Sequence, residues 1–119
     1  MTDKFEMPLK LAIKGKNLLS YLEKASSNSG LYAEITNLSK GYKNQYKVEI
    51  YRPFLFLYLG QFYTFIEEEE MYNNLIFTAE PFSSPKRVEK ISKTLKEKLD
   101  DIIIVTLKYK QFSSPKRNA

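Results

Sequence analysis

Cysteine and histidine are both absent from this chain of 119 residues. Without cysteine the protein has no disulfide framework and no thiolate nucleophile. Without histidine it lacks the commonest general base, the commonest transition-metal ligand and every catalytic triad that passes through imidazole. A catalyst would have to be assembled from Glu, Asp, Lys, Arg and Tyr side chains. We therefore predict that the protein is not an enzyme and that it holds no metal and no other cofactor.

Glycine is scarce as well, with four residues in the chain. The sequence contains no glycine-rich phosphate loop and no nucleophile elbow. The acidic run Glu67–Glu70 lacks the alternating oxygen ligands of a calcium loop. Four neighbouring carboxylates repel one another, so we expect this run to lie in water at the end of a hairpin.

A long uninterrupted apolar segment is also missing. A membrane-spanning helix needs about 20 apolar residues, and the most apolar run, Pro53–Glu67, is interrupted by Gly60 and Gln61. The N-terminal residues show neither the basic nor the apolar region of a signal peptide. The sequence therefore predicts a cytoplasmic protein that has no membrane partner.

The chain is basic, with a formal net charge of +5 and a pI near 9.3. A basic balance favours polyanionic partners such as nucleic acid, although small soluble proteins are often mildly basic without such a partner. Length and a hydrophobic content of 43% indicate one domain with a sizeable core. We place a single α+β domain at residues 1–111 and a basic C-terminal tail at residues 112–119.

Strand and helix patterns alternate along the chain. In order, the predicted elements are a strand at Phe5–Ile13, a helix at Leu18–Ser27 capped by Asn17, strands at Leu31–Leu38 and Gln45–Tyr51, a hairpin, a strand at Asn74–Ala79, a helix at Pro85–Leu99 and an interior strand at Ile102–Leu107. This order predicts an α+β two-layer sandwich, with an antiparallel or mixed sheet and two helices. The ferredoxin-like arrangement β-α-β-β-(hairpin)-β-α-β is the first topology, although its last strand lies at an edge whereas Ile102–Leu107 is apolar enough to be interior.

The run Pro53–Glu67 supplies the hairpin in this order. Glycine at the first central position of a two-residue loop is typical of a type II′ hairpin, so we predict a turn at Gly60 and Gln61. Pairing across that turn gives two apolar faces, one of which carries five aromatic residues: Phe54, Phe56, Tyr58, Tyr63 and Phe65. A two-layer sandwich covers one side of its sheet, so we predict that this face is at least partly buried between chains. A base-stacking role is less favoured, because such platforms interleave aromatic residues with lysine or arginine.

The hexapeptide FSSPKR occurs twice, at Phe82–Arg87 and at Phe112–Arg117. In the first copy Ser84 and Pro85 fit the start of a helix, whereas we expect no helix after the second copy for it to cap. Ser-Pro followed by two cations resembles the basic SPKK-type turns of proteins that bind the DNA minor groove. The cations assigned to phosphate contacts are Lys86, Arg87, Lys90 and Lys93 on the helix and Lys116 and Arg117 in the tail. The alternatives are a solvated helix face, a helix cap with a disordered tail, docking to a partner, and a duplication without function.

Two function classes follow from these patterns. The first is a small non-enzymatic binding module that contacts nucleic acid, or sits in a nucleoprotein assembly, through the basic helix and the two SPKR turns. The second is a protein-protein interaction module, such as an adaptor, an assembly subunit or an inhibitor, whose partner or second copy binds the aromatic run at residues 54–66. An enzyme built from carboxylates and tyrosine is the least favoured class.

Overall fold

A computed structural model of the chain describes residues 3–38, 44–53, 57–81 and 83–113, with the backbone only for Thr64 and residues 109–113. These residues form five strands and two helices. In chain order they are β1 (Lys4–Lys14), α1 (Gly15–Asn28), β2 (Tyr32–Asn37), β3 (Gln45–Arg52), β4 (Leu57–Glu67), β5 (Met71–Ala79) and α2 (Pro85–Ser113).

The five strands form one antiparallel sheet in the order β1-β5-β4-β3-β2. The strands from β2 to β5 are neighbours in chain order, and α1 carries the chain from β1 at one edge to β2 at the other. Both helices pack on the same face of the sheet, since they contact each other as well as the strands. The predicted α+β two-layer sandwich is therefore confirmed.

The core lies between the sheet and the helices as one cluster. The helices contribute residues at helical spacing: Leu18, Leu22 and Ala25 from α1, and Val88, Leu95, Leu99 and Ile103 from α2. The strands contribute apolar residues from one side of the sheet, among them Met7, Val48, Ile50, Phe62, Leu75 and Phe77. Ile91, on the same apolar stripe of α2, is half-buried at its margin.

The predicted hairpin turn at Gly60 and Gln61 is wrong. β4 continues through both residues and pairs there with β3 and β5. Gly60 has a φ of +153°, and a Cβ at this position would lie 2.3 Å from the carbonyl oxygen of Thr78. The register between β3 and β4 shifts at the same point, so the glycine belongs to a bulge at which two backbones approach closely.

The chain reverses instead at the acidic run, where residues 68–70 join β4 to β5. The run therefore does lie at the end of a hairpin, but three of its four side chains have protein partners. Glu67 accepts a hydrogen bond from the side-chain amide of Gln45 at 3.0 Å. Glu69 accepts one from Lys14 Nζ at 3.2 Å. This acidic turn, residues 67–70, is thus hydrogen-bonded to β1 and β3.

The predicted interior strand at Ile102–Leu107 is also wrong, because α2 continues through it to Ser113. Ile103 follows Leu95 and Leu99 at helical spacing and is buried. Burial of this stripe overrides the β propensity of three isoleucines and a valine. In the described residues no strand follows α2, so they do not form the ferredoxin-like arrangement, and the sheet order β1-β5-β4-β3-β2 defines a different topology.

The predicted end of the second helix at Leu99 is wrong for the same reason, and Asp100 lies within α2 as a buried side chain. One carboxylate oxygen of Asp100 accepts a hydrogen bond from the backbone N–H of Lys10 at 3.1 Å. The other lies 2.7 Å from Lys96 Nζ. Lys10 lies where the pairing of β1 with β5 is interrupted, between Pro8 and Ile13, so Asp100 satisfies a backbone donor that the sheet leaves free.

Candidate functional site: a basic cleft and an open sheet face

A cleft of about 570 Å³ lies at the end of the sheet where β3 ends and α2 begins. Nine residues line it: Ser29, Gly30, Leu31, Arg52, Lys86, Arg87, Lys90, Ile91 and Thr94. Four of the nine are cations, and the lining contains no carboxylate. We call this feature the basic cleft.

The first turns of α2 form one wall of the basic cleft. Pro85 is the first helical residue, as predicted, and the carbonyl of Ser84 accepts the first bond of the helix from Val88 N–H at 3.1 Å. Val88 is buried in the core, which fixes the rotation of the helix about its axis. Lys86 and Lys90, spaced i and i+4, are consequently exposed together beside the cleft.

The connection between α1 and β2 forms the opposite wall. Gly30 has a φ of +71°, and the N–H of Leu31 returns to the carbonyl of Ser26 at 2.8 Å, a pattern typical of a glycine-terminated helix. Arg52, the last residue of β3, completes the cleft. The three segments are brought together by burial of α1 and α2 on the same face of the sheet.

The cations of the basic cleft are not neutralised within the described part of the chain. The ion pairs found there involve Lys14, Lys47, Lys93 and Lys96, and none involves a residue of the cleft. The nearest acidic residue in sequence, Glu89, pairs with Lys93 at 3.5 Å. An uncompensated group of arginines and lysines in a concave surface attracts anions and is suited to phosphate oxygens.

The structure brings together three of the predicted phosphate-binding residues: Lys86, Arg87 and Lys90. Lys93 does not line the basic cleft, and lies in a smaller groove of about 200 Å³ that it shares with Glu89, Lys86 and Lys90. Lys116 and Arg117 lie outside the described residues, whereas Phe112 and Ser113 of the predicted tail belong to α2. Arg52 was not identified from the sequence, because an arginine before proline indicates only a corner until the neighbouring helix is placed.

The sheet face opposite the helices carries the predicted aromatic interface residues Tyr58, Tyr63 and Phe65. Phe65 is 48% exposed, and no element in the described ranges packs on this face. Tyr58 and Tyr63 lie five residues apart on one strand, and reach the same face because the bulge at Gly60 shifts the alternation by one. Phe54 and Phe56 lie outside the described residues.

Two further tyrosines, which the sequence patterns did not identify, extend this aromatic face. The ring of Tyr51 lies between those of Tyr32 and Tyr58, with centroid distances of 6.3 and 5.4 Å. Burial, followed by the neighbouring Glu49, raises the pKa of Tyr58 to about 12. The Tyr58 phenol is therefore protonated at neutral pH.

At the other end of the same face, tyrosine hydroxyls replace ladder bonds between β4 and β5. The ladder pairs of these strands end at Phe62. Beyond that point the hydroxyl of Tyr63 donates to the carbonyl of Asn74, and the N–H of Glu67 donates to the hydroxyl of Tyr72 at 2.9 Å. These tyrosines therefore have a structural role in addition to any role at an interface.

Among the described residues, no three carboxylate side chains converge to form a metal site, and no helix there has the length and apolar character needed to cross a bilayer. Comparison with protein-family models, curated proteins and solved structures gives no significant match to this chain. The function is therefore inferred from the basic cleft and the aromatic sheet face.

Proposed function

We propose that this protein is a small, cytoplasmic, non-enzymatic module that binds nucleic acid, or sits in a nucleoprotein assembly, through the basic cleft. The observation that carries the proposal is the convergence of four cations, from β3 and α2, in a cleft without a carboxylate. The net charge of +5 acts in the same direction. A phosphodiester backbone supplies the repeated anionic oxygens that such a surface complements.

The lining of the basic cleft suits a phosphorylated ligand in more than its charge. Arg52 and Arg87 offer planar guanidinium groups that bind two phosphate oxygens at once, whereas Lys86 and Lys90 act as point charges. Ile91, next to them, and Leu31 on the opposite wall supply apolar surface for a sugar or a base. The second SPKR copy, with Lys116 and Arg117, remains a predicted additional phosphate contact.

A salt series tests this function directly. Random-sequence RNA and DNA should bind, and log affinity should fall linearly with log salt, with a slope of about −3 to −4 on duplex DNA if all four cations contact phosphates. The measurement is fluorescence anisotropy of labelled oligonucleotides. Absence of binding even at low salt would remove nucleic acid as the partner.

A pair of double variants distinguishes the basic cleft from general basicity. Arg87→Gln with Lys90→Gln should reduce the magnitude of the salt slope by about two, roughly one unit for each cation that no longer neutralises a phosphate. Lys4→Gln with Lys108→Gln removes the same charge from exposed positions that do not line the cleft. If both double variants weaken binding equally, the cleft is not the site.

A second candidate function, protein-protein interaction through the aromatic sheet face, is favoured by the exposure of Phe65 on a surface that no described element covers. Self-association is the form that this chain can show alone. If it occurs, Phe65→Ser should shift sedimentation velocity towards the monomer, whereas Val105→Ser, at a more exposed apolar position on α2, should not. A wild-type protein that stays monomeric at high concentration would leave only a different protein as partner.

A further inference from the structure

The two edges of the sheet differ in how they are protected against pairing with another strand. β1 carries Pro8, which has no N–H, and its register with β5 shifts between Pro8 and Ile13. It also carries three lysines. β2 has the sequence Tyr-Ala-Glu-Ile-Thr-Asn and pairs with β3 without a bulge. Proline, lysine and bulges are the usual devices that block an edge. Within the described residues, β2 is therefore the edge that remains open.

The outer face of β2 carries a charge that is not compensated. Glu34 lies directly opposite Glu49 on β3, and like charges at opposed positions destabilise a sheet. Lys47 Nζ lies 3.6 Å from the Glu49 carboxylate, whereas no described cation forms an ion pair with Glu34. Since Glu34 is on the edge strand, a cation on an added strand would reach it directly.

An aromatic surface adjoins this carboxylate. Tyr32 precedes Glu34 by two residues and so lies on the same face of β2, where it is 52% exposed. Its ring packs on Tyr51. Burial, then Glu49 and Glu34, raises the pKa of Tyr51, which is consistent with both carboxylates lying close to the aromatic row. A guanidinium or ammonium group above these rings would meet π faces and carboxylates together.

We propose that β2 is a docking edge for an extended basic segment of a partner protein, which adds to the sheet as a sixth strand and places an arginine or lysine over Tyr32 and Glu34. Main-chain hydrogen bonds to the open edge would hold the segment. The cation would contribute a charge-assisted bond to the carboxylate and a cation–π contact to the ring. The proposal uses neither the basic cleft nor Phe65, although Tyr32 belongs to the same aromatic sheet face.

The charge of the β2 edge favours a basic segment over two other occupants, a nucleic-acid strand and a second copy of β2. A nucleic-acid strand would bring phosphates towards Glu34 and Glu49, which repel them. A second copy of β2 would bring only a further Glu34, because β2 contains no other charged residue. A basic segment supplies the sign of charge that the edge lacks, and alternate residues of an extended strand face the same side as Glu34.

The probe is an acetylated and amidated heptapeptide in which valine alternates with arginine, compared with the same peptide carrying neutral citrulline in place of arginine. We expect the arginine peptide to bind and to shift the backbone amide resonances of β2 in ¹⁵N–¹H spectra. The citrulline peptide should bind about tenfold more weakly, since one charge-assisted bond is worth about a factor of ten in affinity. Glu34→Gln should lower the affinity for the arginine peptide by a similar factor.

Two variants of the protein make the result specific. Glu23→Gln removes the same charge from the exposed side of α1 and should leave peptide affinity unchanged. Tyr32→Leu keeps an apolar residue at the edge. It should lower the affinity for the arginine peptide more than the affinity for the citrulline peptide. Equal binding of the two peptides, equal effects of Glu34→Gln and Glu23→Gln, or no binding at millimolar peptide would each overturn the proposal.

Discussion

A Cβ on Gly15 would lie 1.9 Å from the carbonyl oxygen of Glu67, so the first residue of α1 lies against the backbone where β4 ends. Gly15 also donates its N–H to the carbonyl of Glu70 at 2.8 Å, and the N–H of Lys16 donates to the carbonyl of Glu68 at 3.0 Å. The N–H groups of a first helical turn need acceptors outside the helix. The acidic turn supplies them, and α1 therefore begins three residues earlier than the sequence predicts.

Replacing Gly15 by alanine should destabilise the fold through this contact. The added methyl group cannot fit without a shift of the turn or of α1, and we expect a loss of about 1 to 3 kcal/mol in the free energy of unfolding. Gly30→Ala is the matched control, because Gly30 has a positive φ but nothing within 4 Å of its Cβ position. It should cost only about 1 kcal/mol of backbone strain. Urea denaturation measures the free energy of unfolding of both variants. Equal losses would contradict the close contact of Gly15 with the backbone of Glu67.

The parts of the fold that were predicted from sequence are those specified by local patterns. Strict alternation located β3, and serine, proline and a four-residue apolar spacing located the start of α2. Gly60 was misassigned because glycine serves bulges and turns alike, and only the approach of Thr78 on β5 decides between them. Ile102–Leu107 was misassigned because β-branched runs favour strands locally, whereas burial of the α2 stripe is a tertiary effect.

The candidate site was predictable to the same extent. Lys86, Arg87 and Lys90 were identified from charge and helical spacing along one segment. Arg52 belongs to the same cleft only because β3 ends beside α2, and Tyr32 meets Tyr51 only because of the register between β2 and β3. Cross-strand neighbours of this kind depend on pairing partners that a single sequence does not reveal.

Protonation of Glu68 should weaken the fold at low pH. The hydroxyl of Tyr46 donates to Glu68 at 2.7 Å and the amide of Asn44 donates at 2.9 Å. The bond from Tyr46, followed by that from Asn44, lowers the pKa of Glu68 below its ordinary value of 4.5. A carboxyl with a lowered folded pKa stabilises the protein above the unfolded pKa, and this contribution is lost as the pH falls through the folded pKa.

The measurement is the urea midpoint between about pH 6 and about pH 2, a window that begins above the unfolded pKa and extends well below it. Glu68→Gln should show a shallower fall in midpoint with decreasing pH than the wild type. Glu97→Gln, which removes one carboxylate from the exposed surface of α2, should keep the wild-type slope. Identical slopes for Glu68→Gln and the wild type would show that the bond from Tyr46 does not contribute to stability.

Asp100 should be the most sensitive charged position of α2, because it is buried and bridges to β1. Asp100→Ala leaves the N–H of Lys10 and the ammonium of Lys96 without this acceptor, and we expect a loss of about 2 to 4 kcal/mol in the free energy of unfolding. Asp101→Ala, at the exposed neighbouring position, should change it by less than about 0.5 kcal/mol. Similar free energies of unfolding for the two variants in urea denaturation would show that the link from Asp100 to β1 does not stabilise the fold.

Alanine substitutions at Ile103 and Val105 test whether the C-terminal apolar run is helical. In a strand, residues two apart share a face and the two variants would cost similar amounts, whereas in a helix they point about 200° apart. Ile103 is 3% exposed and Val105 is 64% exposed. Ile103→Ala should therefore cost about 2 to 4 kcal/mol through the cavity it leaves, and Val105→Ala less than about 0.5 kcal/mol. If urea denaturation gave comparable losses of unfolding free energy for the two variants, the run would be a strand, as the sequence predicts.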